Sequence, residues 1–292
     1  MQHLYTEHAL RKVCEPAPLW QITEPEKTLG LVPGSVPEAD TPTVYEKPVT
    51  CAGTVRFVFG GSDGSIRAWL DGALLGESEE GHPFDAYRQD LPYQTHLLKM
   101  ELEAGAKTVA PVTLEQLGSA LISEMKTEVT KQGKTFLVRL TVKVRSLADA
   151  EQTVQAEAKV GDAAMHWKKR VLAPGEEISL TGTLPLPGSK AWTIDHPEQV
   201  TAETVLWCDG EPIDDLRTRL CLRTVEMVEN NLVVNGTEQP LQAVTMMQGL
   251  VLDDACCLLR KAKQQGCNAV QGIGHDLRCR DLCDQMGLVA LD

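Results

Sequence analysis

Phe136-Leu137-Val138-Arg139-Leu140-Thr141-Val142-Lys143-Val144-Arg145 decides the fold class. Phe136, Val138, Leu140, Val142 and Val144 alternate with Leu137, Arg139, Thr141, Lys143 and Arg145, the period of a strand with one dry face and one wet face. A dry sheet face must be covered by another layer. Downstream, Val154, Ala156, Ala158 and Val160 repeat the alternation, and Pro174-Gly175 turns the chain into Ile178 and Leu180. Short strands with turns about every ten residues predict a β-sandwich of the immunoglobulin-like kind, closing near Leu222.

Upstream lies an earlier set of strands. Val55, Phe57 and Phe59 point one way, and Ile66, Ala68 and Leu70 follow with Arg67 and Trp69 on the opposite face. Asp71-Gly72 tolerates positive φ and predicts a two-residue hairpin turn into Ala73–Leu75. Leu98, Met100 and Leu102 form a further strand, and Ala104-Gly105-Ala106 breaks the pattern before a second set of strands expected from Val112. Pro33-Gly34-Ser35-Val36-Pro37 reads as a loop, because proline fixes φ and removes a donor.

From Val225 the periodicity changes. Leu241–Met247 is a short apolar run, and Asp253 starts a predicted helix with core positions Ala255, Leu258, Leu259 and Ala262, ended by Gly266. Cys267–Val270 is a second short run. Asp276 starts a second helix, with Cys279, Leu282, Cys283 and Met286 on one face; Gly287 stops it before Leu288–Leu291. Strand, helix, strand, helix, strand predicts right-handed parallel βα units.

The 292 residues suffice for two or three domains, and 42% hydrophobic with 24% charged residues is an ordinary globular composition. A net charge of −13 without a basic stripe argues against nucleic acid or an anionic membrane as partner. No apolar run has the length of a transmembrane span, and residues 1–20 lack the apolar core of a signal peptide. Nine cysteines, odd in number and crowded toward the C-terminus, predict a reducing, cytoplasmic setting rather than a disulfide framework.

Local sequences carry a family resemblance. Trp69-Leu70-Asp71-Gly72, Leu75-Gly76 and Pro83-Phe84-Asp85 are followed by Asp214-Asp215, Leu222-Arg223-Thr224-Val225-Glu226 and Val234-Asn235-Gly236. Asn268-Ala269-Val270 and Leu282-Cys283-Asp284-Gln285-Met286-Gly287-Leu288 come last. In this order they resemble the N-terminal part of glycoside hydrolase family 2, the β-galactosidase and β-glucuronidase family. The resemblance implies a mainly β chain: a jelly-roll β-sandwich over 1–108, an immunoglobulin-like β-sandwich over 109–224, and a partial (β/α) barrel fragment of about two βα units over 225–292.

The departures bear on function. Ala243-Val244-Thr245-Met246-Met247-Gln248 stands where the family carries a Gly-x-Asn-x-His-Glu-type stretch. Gln271 replaces an Arg after Asn-Ala-Val, and His275 falls one place late. The family's two catalytic glutamates belong to later barrel strands, beyond Asp292, so the resemblance assigns no catalytic residue here. The expectation is a protein that does not hydrolyse by itself and serves as a carbohydrate-binding or assembly module. The alternative is one part of a split or oligomeric β-glycosidase whose glutamates come from another chain. A carbohydrate ligand, self-association and a barrel-completing protein are the partners this reading names, with no cofactor and no metal.

Candidate substrate-binding residues are Asp63, Asp85 and Trp69 in the jelly roll, and Asn268 and His275 in the barrel segment. Asp63, Asp71 and Asp85 also suit ordinary turns. Sugar platforms need an exposed flat ring, and Trp20, Trp69, Trp167, Trp192 and Trp207 are the available ones, with core packing as the competing role. His275, Cys279 and Cys283 stack at helical spacing as zinc ligands would, against the plainer role of small core residues. Asn235-Gly236-Thr237 fits a glycosylation acceptor, but for a cytosolic chain it reads most simply as a β-turn.

Overall fold

The computed structural model describes residues 6–14, 20–24, 28–30, 40–108, 112–246, 252–273 and 277–291. The chain divides into two compact units, residues 11–119, and residues 1–10 together with 120–292. The expected loop at Pro33–Pro37 and the start of the second helix at Asp276 lie outside the described residues. No described helix is long and apolar enough to cross a membrane.

After β1 (Thr6–Glu7), the unit 11–119 is built from β2 (Lys12–Cys14), β3 (Trp20–Glu24), β4 (Thr28–Gly30), β5 (Thr43–Phe59), β6 (Ile66–Leu70), β7 (Ala73–Ser78), β8 (Phe84–Leu102) and β9 (Thr113–Leu117). Its sheet runs β2-β9-β5-β8-β6-β7, with β3 on β5 and β4 on β3. Strand β5 pairs with β8 on one edge, where the register shifts on either side of Gly53 at φ +66°, and serves two further neighbours on its other edge. The half before the shift pairs with β3, the half after it with β9. Phe57, Phe59, Ile66, Ala68, Leu98, Met100 and Leu102 are fully buried, the alternate positions expected from the sequence. Asp71 and Gly72 take φ of +49° and +80° in the hairpin between β6 and β7.

Thr113–Leu117 does not open the second sandwich; it returns to the first sheet between β2 and β5. A strand's period reports which face is dry and carries no information about which sheet it joins.

In the other unit the strands are β10 (Ala120–Gln132), β11 (Thr135–Ser146), β12 (Gln152–Val160), β13 (Ala163–His166), β14 (Arg170–Leu172), β15 (Glu177–Pro187), β16 (Val200–Cys208) and β17 (Glu211–Leu220). They form two antiparallel sheets, β10-β11-β15 and β1-β17-β16-β12-β13 with β14 also on β12. Phe136, Val138, Leu140, Val142 and Val144 face Val154, Ala156, Ala158, Val160, Ala202 and Leu206 in one core. A small antiparallel meander follows, β18 (Val225–Val228), β19 (Asn231–Val234) and β20 (Thr237–Pro240). Asn235-Gly236, at φ of +54° and +84°, makes its second turn.

The last segment alternates β21 (Ala243–Thr245), α1 (Leu252–Gln264), β22 (Ala269–Gln271), α2 (Leu277–Met286) and β23 (Val289–Ala290). The three strands are parallel in the order β21-β22-β23 and form an open sheet, not a closed barrel. Ala255, Leu259 and Ala262 are buried as expected, but Leu258 is 44% exposed. The dry stripe of α1 is therefore the i, i+4, i+7 row alone. Asp253 lies inside the first turn, where a carboxylate complements the helix dipole. A second, smaller core of Trp192, Ile194, Leu232, Val234, Ala269 and Val289 joins the immunoglobulin-like sandwich, the meander and the parallel strands.

Candidate functional site

The jelly-roll candidates are engaged by their own unit. Asp63 is exposed and accepts the Lys107 amide at 2.5 Å, while its own N–H donates to the Lys107 carbonyl at 3.0 Å, a turn-closing arrangement. Asp85 receives two donors from Arg56, Nε at 2.9 Å and Nη2 at 2.5 Å. Arg56 also meets Glu115 at 3.1 Å, and Glu115 meets Arg11 at 2.9 Å, so Asp85 ends a charge chain running across β8, β5, β9 and the residue before β2. Trp69 is half-buried with the Lys99 ammonium 5.3 Å from its ring centroid. Asp71 accepts the Leu97 amide at 2.8 Å and pairs with His96 Nδ1 at 2.7 Å. The bond to His96, then that amide, hold its carboxyl below the usual carboxylate range.

In a parallel barrel, chemistry sits at the C-terminal ends of the strands. Asn268 precedes β22 and so lies at the opposite end. Its side chain is consumed by the backbone: Nδ2 donates to the Pro240 carbonyl at 2.8 Å and Oδ1 accepts the Gln242 amide at 2.8 Å. It sets the entry of the chain into β21. His275, Met247 and Gln248 lie outside the described residues. The described C-terminal ends present Thr245, Met246, Gln271, Gly272 and Leu291, with the Met246 amide bonded to the Gln271 carbonyl at 2.8 Å. No carboxylate stands among them.

His8, Asp214 and Asp215 bring their ligand-type atoms within 4.8 Å of one another. Three of the four carboxylate oxygens already accept backbone amides. Both Asp215 oxygens accept the Ala9 amide, at 3.0 and 2.8 Å, and Oδ1 also accepts the Leu10 amide at 2.7 Å. Asp214 Oδ2 accepts the Ile122 amide at 2.7 Å, beside the irregularity in β10 between Ile122 and Glu124. These adjacent carboxylates thus act as acceptors for the backbone amides of Ala9, Leu10 and Ile122. Cys279 and Cys283 are buried in the core between the helices and the parallel sheet. Burial pushes the Cys283 thiol up to about 12, which leaves it protonated and hydrophobic in character.

A concave surface that the sequence did not reveal lies on the outer face of the immunoglobulin-like sandwich. β13 pairs with residues 157–160 of β12 and β14 with residues 152–154, so the neighbour of β12 is interrupted beside Gln155. At the interruption Trp167 turns toward the core and donates Nε1 to the Thr181 carbonyl at 3.1 Å. A cleft of about 460 Å³ remains, lined by Thr153, Gln155, Glu157, Lys169, Trp207 and the Asp209-Gly210 turn, with Val154 beneath. Trp207 stands directly opposite Gln155 across the β12–β16 ladder. Its Nε1 is buried and finds no acceptor among the described residues. Asp209-Gly210, at φ of +51° and +87°, is a hairpin turn that walls the cleft.

No known family profile matches the chain. One curated relative, β-galactosidase BoGH2A of Bacteroides ovatus, is 27% identical over 158 residues, which is 50% of this chain and 18% of that protein. Solved structures match over nearly the whole length. A glycoside hydrolase family 2 β-galacturonidase of Eisenbergiella tayi aligns with a TM-score of 0.83 at 20% identity, covering 99% of this chain and 59% of its own. A β-glucuronidase of Bacteroides uniformis aligns with a TM-score of 0.81 at 13% identity, covering 96% and 42%. The fold is therefore that of part of these enzymes, in keeping with the resemblance to the N-terminal part of the family, and the chain spans less than two thirds of each.

Proposed function

We propose that this chain is the non-catalytic N-terminal scaffold of a glycoside hydrolase family 2-type β-glycosidase. The observation that carries this reading is the order of its parts. Two β-sandwiches lead into parallel βα units, and that order aligns over 99% of the chain with a β-galacturonidase of which it covers 59%. Retaining glycoside hydrolysis requires two carboxyl groups about 5–5.5 Å apart across the scissile bond. The described strand ends, at Thr245, Gln271 and Leu291, offer none. The purified chain is expected to release no nitrophenol from aryl β-galactosides, β-glucuronides or β-galacturonides. Turnover that co-elutes with the chain on a sizing column overturns the proposal.

A second reading follows from the open parallel sheet. Among the described residues, strands β21 and β23 each have one paired neighbour, which leaves an unpaired edge on either side. Parallel strands are ordinarily buried within a larger layered fold. A separate polypeptide carrying the later βα units of such a barrel would cover these edges and bring the two carboxyls. Co-expression with the C-terminal half of a family 2 β-galacturonidase tests it: activity in the mixture and in neither part alone supports the reading, and inactivity of a stable complex refutes it.

A further inference from the structure

We infer that the cleft between β12, the 167–170 crossing and the Asp209-Gly210 turn is a binding site for a neutral saccharide. The site is independent of the strand ends discussed above and does not rest on any hydrolytic role.

A volume of about 460 Å³ falls within the roughly 300–1,000 Å³ typical of small-molecule sites. The walls are fixed. β12 is paired with β16 from Val154 to Val160, and the far wall is a tight hairpin turn preceded by Cys208, whose thiol donates to Gln152 Oε1 at 3.4 Å. A ligand would enter a groove that exists before it arrives, which lowers the ordering cost of binding.

The lining selects the ligand class. Trp207 supplies an indole, the side chain against which the C–H face of a pyranose packs. Around it stand two carboxylates, Glu157 and Asp209, which accept from hydroxyls. Lys169, Gln155 and Thr153 donate. Lys169 is exposed and has no carboxylate within ion-pair reach among the described residues. Glu157 keeps a contact with His166 at 3.0 Å. Two carboxylates against one free ammonium, on a chain of net charge −13, disfavour an anionic sugar. A wholly cationic ligand would meet Lys169. A neutral ring with adjacent hydroxyls uses every group present. The buried, unpartnered Trp207 Nε1 adds a donor that a hydroxyl acceptor satisfies once the ring shifts to meet it.

The test is isothermal titration of the intact chain with galactose, lactose, cellobiose and galacturonate, with choline as the cationic probe. Saturable binding of at least one neutral sugar is expected, at least tenfold tighter than galacturonate or choline. Trp207→Ala should weaken it at least tenfold, and Lys169→Ala and Asp209→Asn about threefold each, while Tyr93→Ala, at an exposed ring outside the cleft, leaves it unchanged. Lys169 and Asp209 are exposed, so their variants keep the test decisive if Trp207→Ala unfolds. Preference for galacturonate or choline, no binding by any neutral sugar, or binding indifferent to Lys169 and Asp209 overturns the proposal.

Discussion

Arg223 ends the immunoglobulin-like sandwich with its guanidinium almost buried, 4.0 Å above the Trp192 ring and 2.6 Å from Asp284 in α2. Nη1 finds no hydrogen-bond partner among the described residues, so the ion pair with Asp284 and the Trp192 ring compensate the desolvated charge. Removing one member of such a pair costs about 3–5 kcal/mol, whereas replacing both by apolar residues is often close to neutral. Arg223→Met should therefore destabilise by about 3 kcal/mol, and Arg223→Met with Asp284→Leu by clearly less, in urea unfolding at neutral pH. A double variant as unstable as the sum of the singles would show that the pair is not coupled. Burial raises the Asp284 carboxyl above its ordinary value, and Arg223 partly offsets this. A carboxyl raised in the folded state favours folding most below its unfolded value of about 4 and loses that advantage as pH rises through the folded value. Without Arg223 the rise is larger. The penalty of Arg223→Met should thus be full at pH 7 and shrink on acidification, and a pH-independent penalty would contradict this origin.

Among the elements, α2 shows how local rules and tertiary packing combine. Gly287 follows its last residue at φ +71°, the left-handed position that ends many helices. A β-carbon built there would collide with the Ile194 carbonyl, which also accepts from the Lys263 ammonium at 2.8 Å. Gly266, after α1, has φ +86° and only the Gln242 side chain at 3.3 Å. Gly266→Ala should cost about 1 kcal/mol, the left-handed penalty alone, while Gly287→Ala should cost at least twice that, measured by thermal and urea unfolding. Equal costs would mean that the Ile194 contact relaxes freely. Both helix stops were legible in sequence, as were the Phe136–Val144 strand and the Asp71-Gly72 turn, because each depends on neighbours close in the chain. The sheet that receives Thr113–Leu117 was not, since pairing partners are chosen by tertiary fit. The cleft was illegible for the same reason: its floor, crossing and turn are spread in sequence from Thr153 to Gly210, and only the break between β13 and β14 creates the gap. Asn268 shows the converse, a residue singled out by resemblance whose polar atoms are all spent on the backbone around β21.

Across the whole molecule, the parts differ in how far they carry their own cores. Residues 11–119 enclose one, from Trp20 and Ile22 through Phe57 and Met100 to Val112 and Leu114. The segment from Val225 onward encloses only a small one, built on Ala255, Leu259, Val270, Cys279, Cys283 and Leu288. Its strands Ala269 and Val289 pack on Trp192 and Ile194 of the sandwich, and the Trp192 indole donates to the Asp284 carbonyl at 2.8 Å. Three short parallel strands and two helices bury too little apolar area to offset the entropy of ordering some seventy residues without that support. Residues 11–119 expressed alone should therefore give a dispersed amide spectrum and a cooperative melt. Residues 225–292 alone should give neither. Residues 120–292 should fold, but less stably than the intact chain, because the Asp215 carboxylate then loses the Ala9 and Leu10 amides that satisfy it. A folded 225–292 fragment would show that the parallel strands are self-sufficient, and would remove the physical reason for the sandwich to precede them in the chain.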